Sequence, residues 1–170
     1  VRPSRKTEPI RQHVEFSVAP AEADVPRDQT NFVVRALALF RTKLTERDGG
    51  SLEVPRFRAH LVKNLPIDGG LAGAASNAAA ALYAANELCG RPASMEELTQ
   101  WGEELGSDVA CFLSPTGSTY CTGRGVFLRG DVLSHVGPVV SPPAEGELFV
   151  VSPEIALSTP ALFRGLAASE

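Results

Sequence analysis

A basic surface, a membrane-spanning run, metal-ligand spacing and the two commonest phosphate-loop patterns are all missing from this chain, and each absence narrows what it does. Acidic residues outnumber basic ones by 20 to 16, giving a net charge of −4 and a pI near 5.4. That balance excludes a broad cationic face for nucleic acid, although one nucleotide needs only a local positive field. No apolar run is long enough to cross a bilayer, and Val1-Arg2-Pro3-Ser4-Arg5-Lys6 has no hydrophobic stretch behind it. A soluble chain with neither signal peptide nor membrane anchor is expected. Cys89, Cys111 and Cys121 are odd in number, with no Cys-x-x-Cys pair and no histidine at metal spacing. They predict reduced thiols packed in a core, in a reducing compartment. His13, His60 and His135 are isolated, His60 on the polar phase of an alternating strand and His135 in a predicted loop. Neither a metal site nor a catalytic histidine is expected.

With 170 residues and 44% hydrophobic content the chain is of single-domain size and can bury a real core. His13 to Val18 alternates as a strand, and Ala19 to Arg27 reads as a loop. A helix is predicted from a Thr30 cap through Phe32-Val33-Val34-Arg35-Ala36-Leu37 to about Leu44, ended by Asp48-Gly49-Gly50. Phe57 to Lys63 alternates as a second strand. Alanine-rich residues from about Ser76 to Leu88 form the next helix, stopped by Cys89-Gly90-Arg91-Pro92. Ser94-Met95-Glu96-Glu97 is a capping box for a third helix, which carries Leu98, Trp101 and Leu105 inward and ends at Gly106. Val109–Leu113, Thr116–Thr122, Val126–Leu128 and Leu148–Val151 are short strands or a helical turn, and Ser158 or Thr159 caps a last helix through Phe163. Strands, then helices, then strands, without a regular βαβαβ rhythm, predict a two-layer α+β fold.

Residues 66 to 76 read Pro66-Ile67-Asp68-Gly69-Gly70-Leu71-Ala72-Gly73-Ala74-Ala75-Ser76 and lead into the alanine helix at Asn77. A glycine-dense loop opening a small-faced helix leaves backbone N–H groups uncovered at the helix's positive end, which suits phosphate. No lysine follows the glycines as in the common phosphate loop, and Gly70-Leu71-Ala72-Gly73 lacks the dinucleotide Gly-x-Gly-x-x-Gly spacing. A tight turn into a helix that merely allows close packing is the competing reading.

The order of strand, Pro66, glycine loop, alanine helix and, about thirty residues on, Leu105-Gly106-Ser107-Asp108-Val109 resembles the GHMP small-molecule kinases. Further segments agree in order and spacing: Asn31-Phe32-Val33-Val34-Arg35-Ala36, Lys63-Asn64-Leu65-Pro66, Ser76-Asn77-Ala78-Ala79, Gly123-Arg124-Gly125 and Ser158-Thr159-Pro160. The likeness covers about Asp28 to Leu166 and is similar to plastid-type members that phosphorylate a cytidine-diphosphate-linked methylerythritol. It implies an incomplete two-layer GHMP N-terminal domain, resembling domain 2 of ribosomal protein S5, with residues 1–27 a weakly matched leader and first strand. It also implies ATP and Mg²⁺ as cofactors, a small-molecule partner with no nucleic acid or membrane, and the plastid stroma or a bacterial-type cytoplasm.

The resemblance assigns roles. Asp108 matches the catalytic aspartate that accepts or orients the substrate hydroxyl proton. Pro66, Ile67, Asp68, Gly69, Gly70, Leu71, Ala72, Gly73, Ala74, Ala75 and Ser76 match the loop that holds the ATP phosphates, with Asn31 and Lys63 near the nucleotide. Thr159 and Phe163 match substrate contacts, Phe163 stacking on the cytosine. Asp68, Ala72, Ala74 and Ala75 stand where the family usually has Gly, Gly, Gly and Ser, and alanine takes positive φ only at a cost of about 1 kcal/mol or more. A catalytic lysine strand with a Gly-Tyr-His segment and a C-terminal subdomain are expected outside this chain. Another GHMP kinase, acting on homoserine, mevalonate or a sugar, and a catalytically impaired nucleotide-binding module remain as alternatives.

Overall fold

A computed structural model of the chain describes residues 14–20, 24–47, 49, 54–64, 70–114, 119–122, 135–138, 149 and 151. Strand β1 (Val14–Ala19) pairs in parallel with β2 (Phe57–Val62), in a register running from Val14 opposite Phe57 to Ala19 opposite Val62. The ladder continues one step, because the Lys63 N–H donates to the Ala19 carbonyl at 2.8 Å. Helix α1 (Phe32–Arg47) is the crossover that a parallel pair requires. Strand β3 (Thr119–Thr122) pairs antiparallel with β4 (His135–Pro138). His135, expected in a loop, is therefore a strand residue opposite Thr122. Helices with a parallel and an antiparallel strand pair agree with the α+β class.

The start of α1 falls one residue later than the sequence suggests. Thr30 donates both its N–H and its hydroxyl to Asp28 Oδ1, at 2.9 and 2.6 Å, and so folds into an Asx turn. Asn31 is the cap instead, its Oδ1 accepting from the Val33 N–H at 2.8 Å. At the other end no breaker precedes Asp48, so the helix runs past the expected Leu44 to Arg47. Arg47 and Lys43 there face α3 (Met95–Leu105) and pair with Glu97 at 3.3 Å and Glu104 at 2.6 Å.

Val33, Val34, Ala36, Leu37, Phe40 and Leu44 line the buried face of α1. They meet α2 (Gly73–Leu88), whose Ala75, Ala78, Ala79 and Ala85 let the backbones approach while Leu82 fills the centre. Phe40, fully buried, is the hub. Its ring meets Phe57 of β2 at 6.0 Å and Trp101 of α3 at 5.9 Å, both edge to face.

Helix α2 ends where glycine allows it, at Gly90 with φ 81°. The turn into α3 (Met95–Leu105) is held by Asn86, which is buried between them. Its Nδ2 donates to the Ala93 carbonyl and its Oδ1 accepts the Ala93 N–H, both at 2.9 Å. Asn86→Leu strands two buried backbone groups, so unfolding free energy is expected to fall by roughly 2–4 kcal/mol in urea titration. A loss below about 0.5 kcal/mol contradicts this role.

The capping box on α3 is formed as expected, Ser94 Oγ accepting the Glu97 N–H at 3.1 Å and Glu97 accepting the Ser94 N–H at 2.8 Å. That backbone hydrogen bond is the main reason the Glu97 carboxyl titrates below its ordinary value. The charged form makes the bond, so its contribution is present above the ordinary glutamate range and fades as pH falls through the lower folded-state value. At Gly106 the chain turns directly into α4 (Ser107–Phe112), where Val109–Leu113 was expected as a strand or helical turn. The close seat explains the helix: a Cβ on Gly102 would stand 3.1 Å from Leu113 Cδ1 and 3.3 Å from the Ala110 nitrogen.

Cys89 is a free thiol, but Cys111 is disulfide-bonded, which corrects the expectation of three reduced cysteines. Phe149 and Val151, from the expected strand at 148–151, are exposed and lie in no strand. The pieces expected at Val126–Leu128 and Ser158–Phe163 lie outside the described residues.

Candidate functional site

Among the described residues, side chains cap two of the three long helices and leave the third open. Asn31 caps α1 and Ser94 caps α3, but the cap position of α2 is Ala72, which has no side-chain acceptor, and its first turn holds no acid. The earliest intrahelical bond runs from the Ser76 N–H to the Ala72 carbonyl at 3.0 Å. The N–H groups of Gly73, Ala74 and Ala75 therefore point out of the helix end without an intrahelical acceptor. The Ser76 hydroxyl turns back to the Gly73 carbonyl at 3.0 Å and does not cover them.

Because α2 starts at Gly73, three residues before the expected Ser76, the residues Gly73-Ala74-Ala75-Ser76 are helix, and of the expected loop the described residues outside it are Gly70, Leu71 and Ala72. Within that loop Gly70 has φ 68° and Ala72 has φ 50°, ψ 29°, both left-handed. The alanine that the sequence marks as out of place thus takes the strained conformation that glycine takes freely. Ala72→Gly is expected to stabilise the fold by about 1 kcal/mol in thermal or urea unfolding; a destabilisation contradicts the left-handed assignment.

Lys63 supplies the charge. It follows β2 directly, anchored by its N–H to Ala19, and its side chain reaches the open helix end. A Cβ built on Gly73 would lie 3.1 Å from Lys63 Nζ, which places the ammonium beside the first residue of α2. No ion pair holds that ammonium among the described residues. A cation set on the positive end of a helix gains nothing from the protein alone, whereas an anion between the two satisfies both.

Asp108 lies in the first turn of α4, exposed, with Ser107 Oγ 3.2 Å from its Oδ1. A carboxylate is electrostatically at home at this end of a helix. The start of α4 abuts the start of α1, since a Cβ on Gly106 would meet Phe32 Cε1 at 3.4 Å. Arg35, one turn along α1, lays its guanidinium 4.9 Å from the centroid of that Phe32 ring. Phe32 and Arg35 are legible as helix residues and as part of a segment that resembles the family, but nothing in their spacing points to Asp108. Asn31 is buried and engaged on both sides, its Nδ2 donating to the Pro26 carbonyl at 2.8 Å, so here it sets the position of α1.

The α2 first turn and the α4 end share one cavity of about 470 Å³, lined by Ser76, Ala80, Tyr83, Met95, Phe112 and Ser114 among others. Pro66, Ile67, Asp68, Gly69, Thr159 and Phe163 lie outside the described residues. Among the described residues there is no cluster of three or more histidine, cysteine or acidic side chains that could hold a metal.

The model of the GHMP kinases N terminal domain matches residues 31–115, which contain Lys63, the open end of α2 and Asp108. This chain belongs to the GHMP kinases. As a GHMP kinase it is 39% identical, over 84% of its length and 43% of the relative's, to 4-diphosphocytidyl-2-C-methyl-D-erythritol kinase of Protochlamydia amoebophila. It is 37% identical, over 90% of its length and 37% of the relative's, to the chloroplastic enzyme of that name from Oryza sativa subsp. japonica. The chain thus spans about two fifths of the length of these relatives. A crystal structure of homoserine kinase from Cytophaga hutchinsonii matches 58% of this GHMP kinase and 29% of that chain, at a TM-score of 0.44 and 25% identity.

Proposed function

We propose that this chain is the nucleotide-binding part of a kinase that transfers the γ-phosphate of ATP to the 2-hydroxyl of 4-diphosphocytidyl-2-C-methyl-D-erythritol, a step of non-mevalonate isoprenoid synthesis. The observation that carries ATP binding is the juxtaposition at α2: a helix end with no side-chain cap and no acid in its first turn, faced by an ammonium, neither having a side-chain partner among the described residues. That donor set fits a polyphosphate. The named relatives support the choice of acceptor.

In this reading the amides of Gly73, Ala74 and Ala75 and the Lys63 ammonium hold phosphate oxygens, together with the loop from Pro66 to Ala72 and Ser76. ATP, as its Mg²⁺ complex, supplies the transferring group. The oriented amides stabilise charge moved during transfer without having to reorganise. Asp108, steadied by Ser107, accepts or orients the proton of the substrate hydroxyl. Asn31 holds the start of α1, and with it Phe32, against the turn that presents Asp108. Thr159 and Phe163 hold the cytosine end of the substrate. The chloroplastic and bacterial relatives favour the plastid stroma or a bacterial cytoplasm as the place of action. Among the described residues no helix is long and apolar enough to cross a membrane.

Lys63→Met tests the phosphate site directly. Calorimetric titration of the protein with ATP is expected to show affinity reduced by roughly tenfold or more, since a charge-assisted contact is removed. Equal affinity in the variant removes Lys63 from the site.

A further inference from the structure

We propose that α4 carries a redox switch: the disulfide at Cys111, one helical turn from Asp108, holds the helix in place, and a dithiol reductant opens it. The chain contains three cysteines, of which Cys89 is a free thiol and Cys111 is disulfide-bonded. Helix α4 has six residues, far too few to be stable by itself. Its noncovalent hold is the burial of Val109, Ala110 and Leu113 against α3 and α2. Asp108 and Cys111 both project away from that buried set, Asp108 exposed and Cys111 half-buried. Cys111 Sγ lies 3.7 Å from the Ser107 carbonyl oxygen, so the sulfur sits over the turn that carries the Ser107–Asp108 contact. The covalent tie therefore acts on the same two turns that position the carboxylate.

Opening the tie is thiol–disulfide exchange. A thiolate of the reductant attacks one sulfur of the disulfide, giving a mixed disulfide and releasing one protein thiolate, which takes up a proton. The second thiol of the reductant then displaces the other protein sulfur, so the reductant leaves as a disulfide and the protein has gained two electrons and two protons. The tie re-forms by the reverse exchange with an oxidised dithiol. Once reduced, Cys111 can donate its S–H weakly to Ser107, a far smaller constraint on α4 than the covalent bond.

The influence on catalysis rests on the role proposed for Asp108; the thiol chemistry and the loosening of α4 do not. The test uses the full chain equilibrated in oxidised or reduced dithiol buffer, denatured and alkylated for thiol counting, and in parallel analysed by hydrogen exchange. One alkylated thiol is expected in the oxidised protein and three in the reduced protein. Amides of residues 109–113 are expected to exchange about tenfold faster after reduction, with α3 amides unchanged. Cys111→Ser is expected to exchange like the reduced protein in both buffers. Three thiols in the oxidised buffer, or α4 exchange unaffected by reduction, overturns the switch. Where kinase turnover is measured, kcat should fall on reduction with little change in KM for ATP. Measured on the full natural protein, turnover that is equal in both buffers refutes the regulatory role alone, and absence of turnover in both refutes the kinase reading alone.

Discussion

Asp108→Asn is expected to lower kcat for phosphoryl transfer by roughly 10²–10⁴-fold, the range lost when a positioned acid–base group is removed. The amide keeps the size of the carboxylate and can keep a contact with Ser107, so the change is in proton affinity rather than in shape. Asp108 is exposed and it accepts a hydrogen bond from its own neighbour, Ser107, so the fold has little reason to respond. Affinity for ATP should stay near that of the unmodified protein, because the phosphate donors proposed above belong to α2 and Lys63. A steady-state assay of the full natural protein, with ATP titrated at saturating acceptor, separates the two parameters. Wild-type kcat in the variant removes Asp108 from the chemistry, while a matching loss of ATP affinity points to a phosphate-site role instead.

The largest expected effect on stability is that of Phe40→Ala. The ring has no exposure and stands edge to face between Phe57 of β2 and Trp101 of α3, so one truncation unseats the contacts of α1 with a strand and a helix together. Loss of a buried phenylalanine costs about 3–5 kcal/mol through lost transfer energy and the cavity left behind. Trp101 is the only tryptophan of the chain, which gives the measurement a local reporter. Urea unfolding followed by its fluorescence should shift to a lower midpoint by that amount, and the folded-state emission should move as the ring loses its neighbour. A change under about 1 kcal/mol contradicts the place of Phe40 at the centre of the core.

How much of this was readable beforehand follows from the range of the forces involved. The α3 capping box, the Gly90 stop and the buried faces of α1 and α3 are set within one or two turns of chain, and the sequence expresses them directly. The boundaries that moved depend on choices between neighbours. Asp28 claims Thr30 and leaves Asn31 to cap α1, and α2 starts at Gly73 because Ala72 accepts a left-handed conformation that propensity counts against. Helix α4 was ambiguous because Val109–Leu113 is short and apolar, and only its seat on Gly102 decides between helix and strand.

The candidate site divides in the same way. The glycine-rich approach to α2 and the Gly106-Ser107-Asp108 turn are local patterns, visible as text. That Lys63 comes to the open end of α2 depends on the parallel pairing of β1 with β2, which carries Lys63 past Ala19 and aims it at Gly73. The contact of Phe32 with Gly106 likewise joins residues far apart in sequence. Counting cysteines suggests free thiols, since an odd number leaves pairing undetermined, and only the fold shows which of them is bonded.

The central claim is that an open helix end and a free ammonium hold ATP for transfer to a cytidine-diphosphate-linked polyol. Incubating the full natural protein with γ-labelled ATP, Mg²⁺ and 4-diphosphocytidyl-2-C-methyl-D-erythritol, beside homoserine, mevalonate and galactose, tests it most directly. Label is expected on the 2-hydroxyl of the cytidyl substrate alone, and label on any of the other acceptors but not on that one contradicts the account.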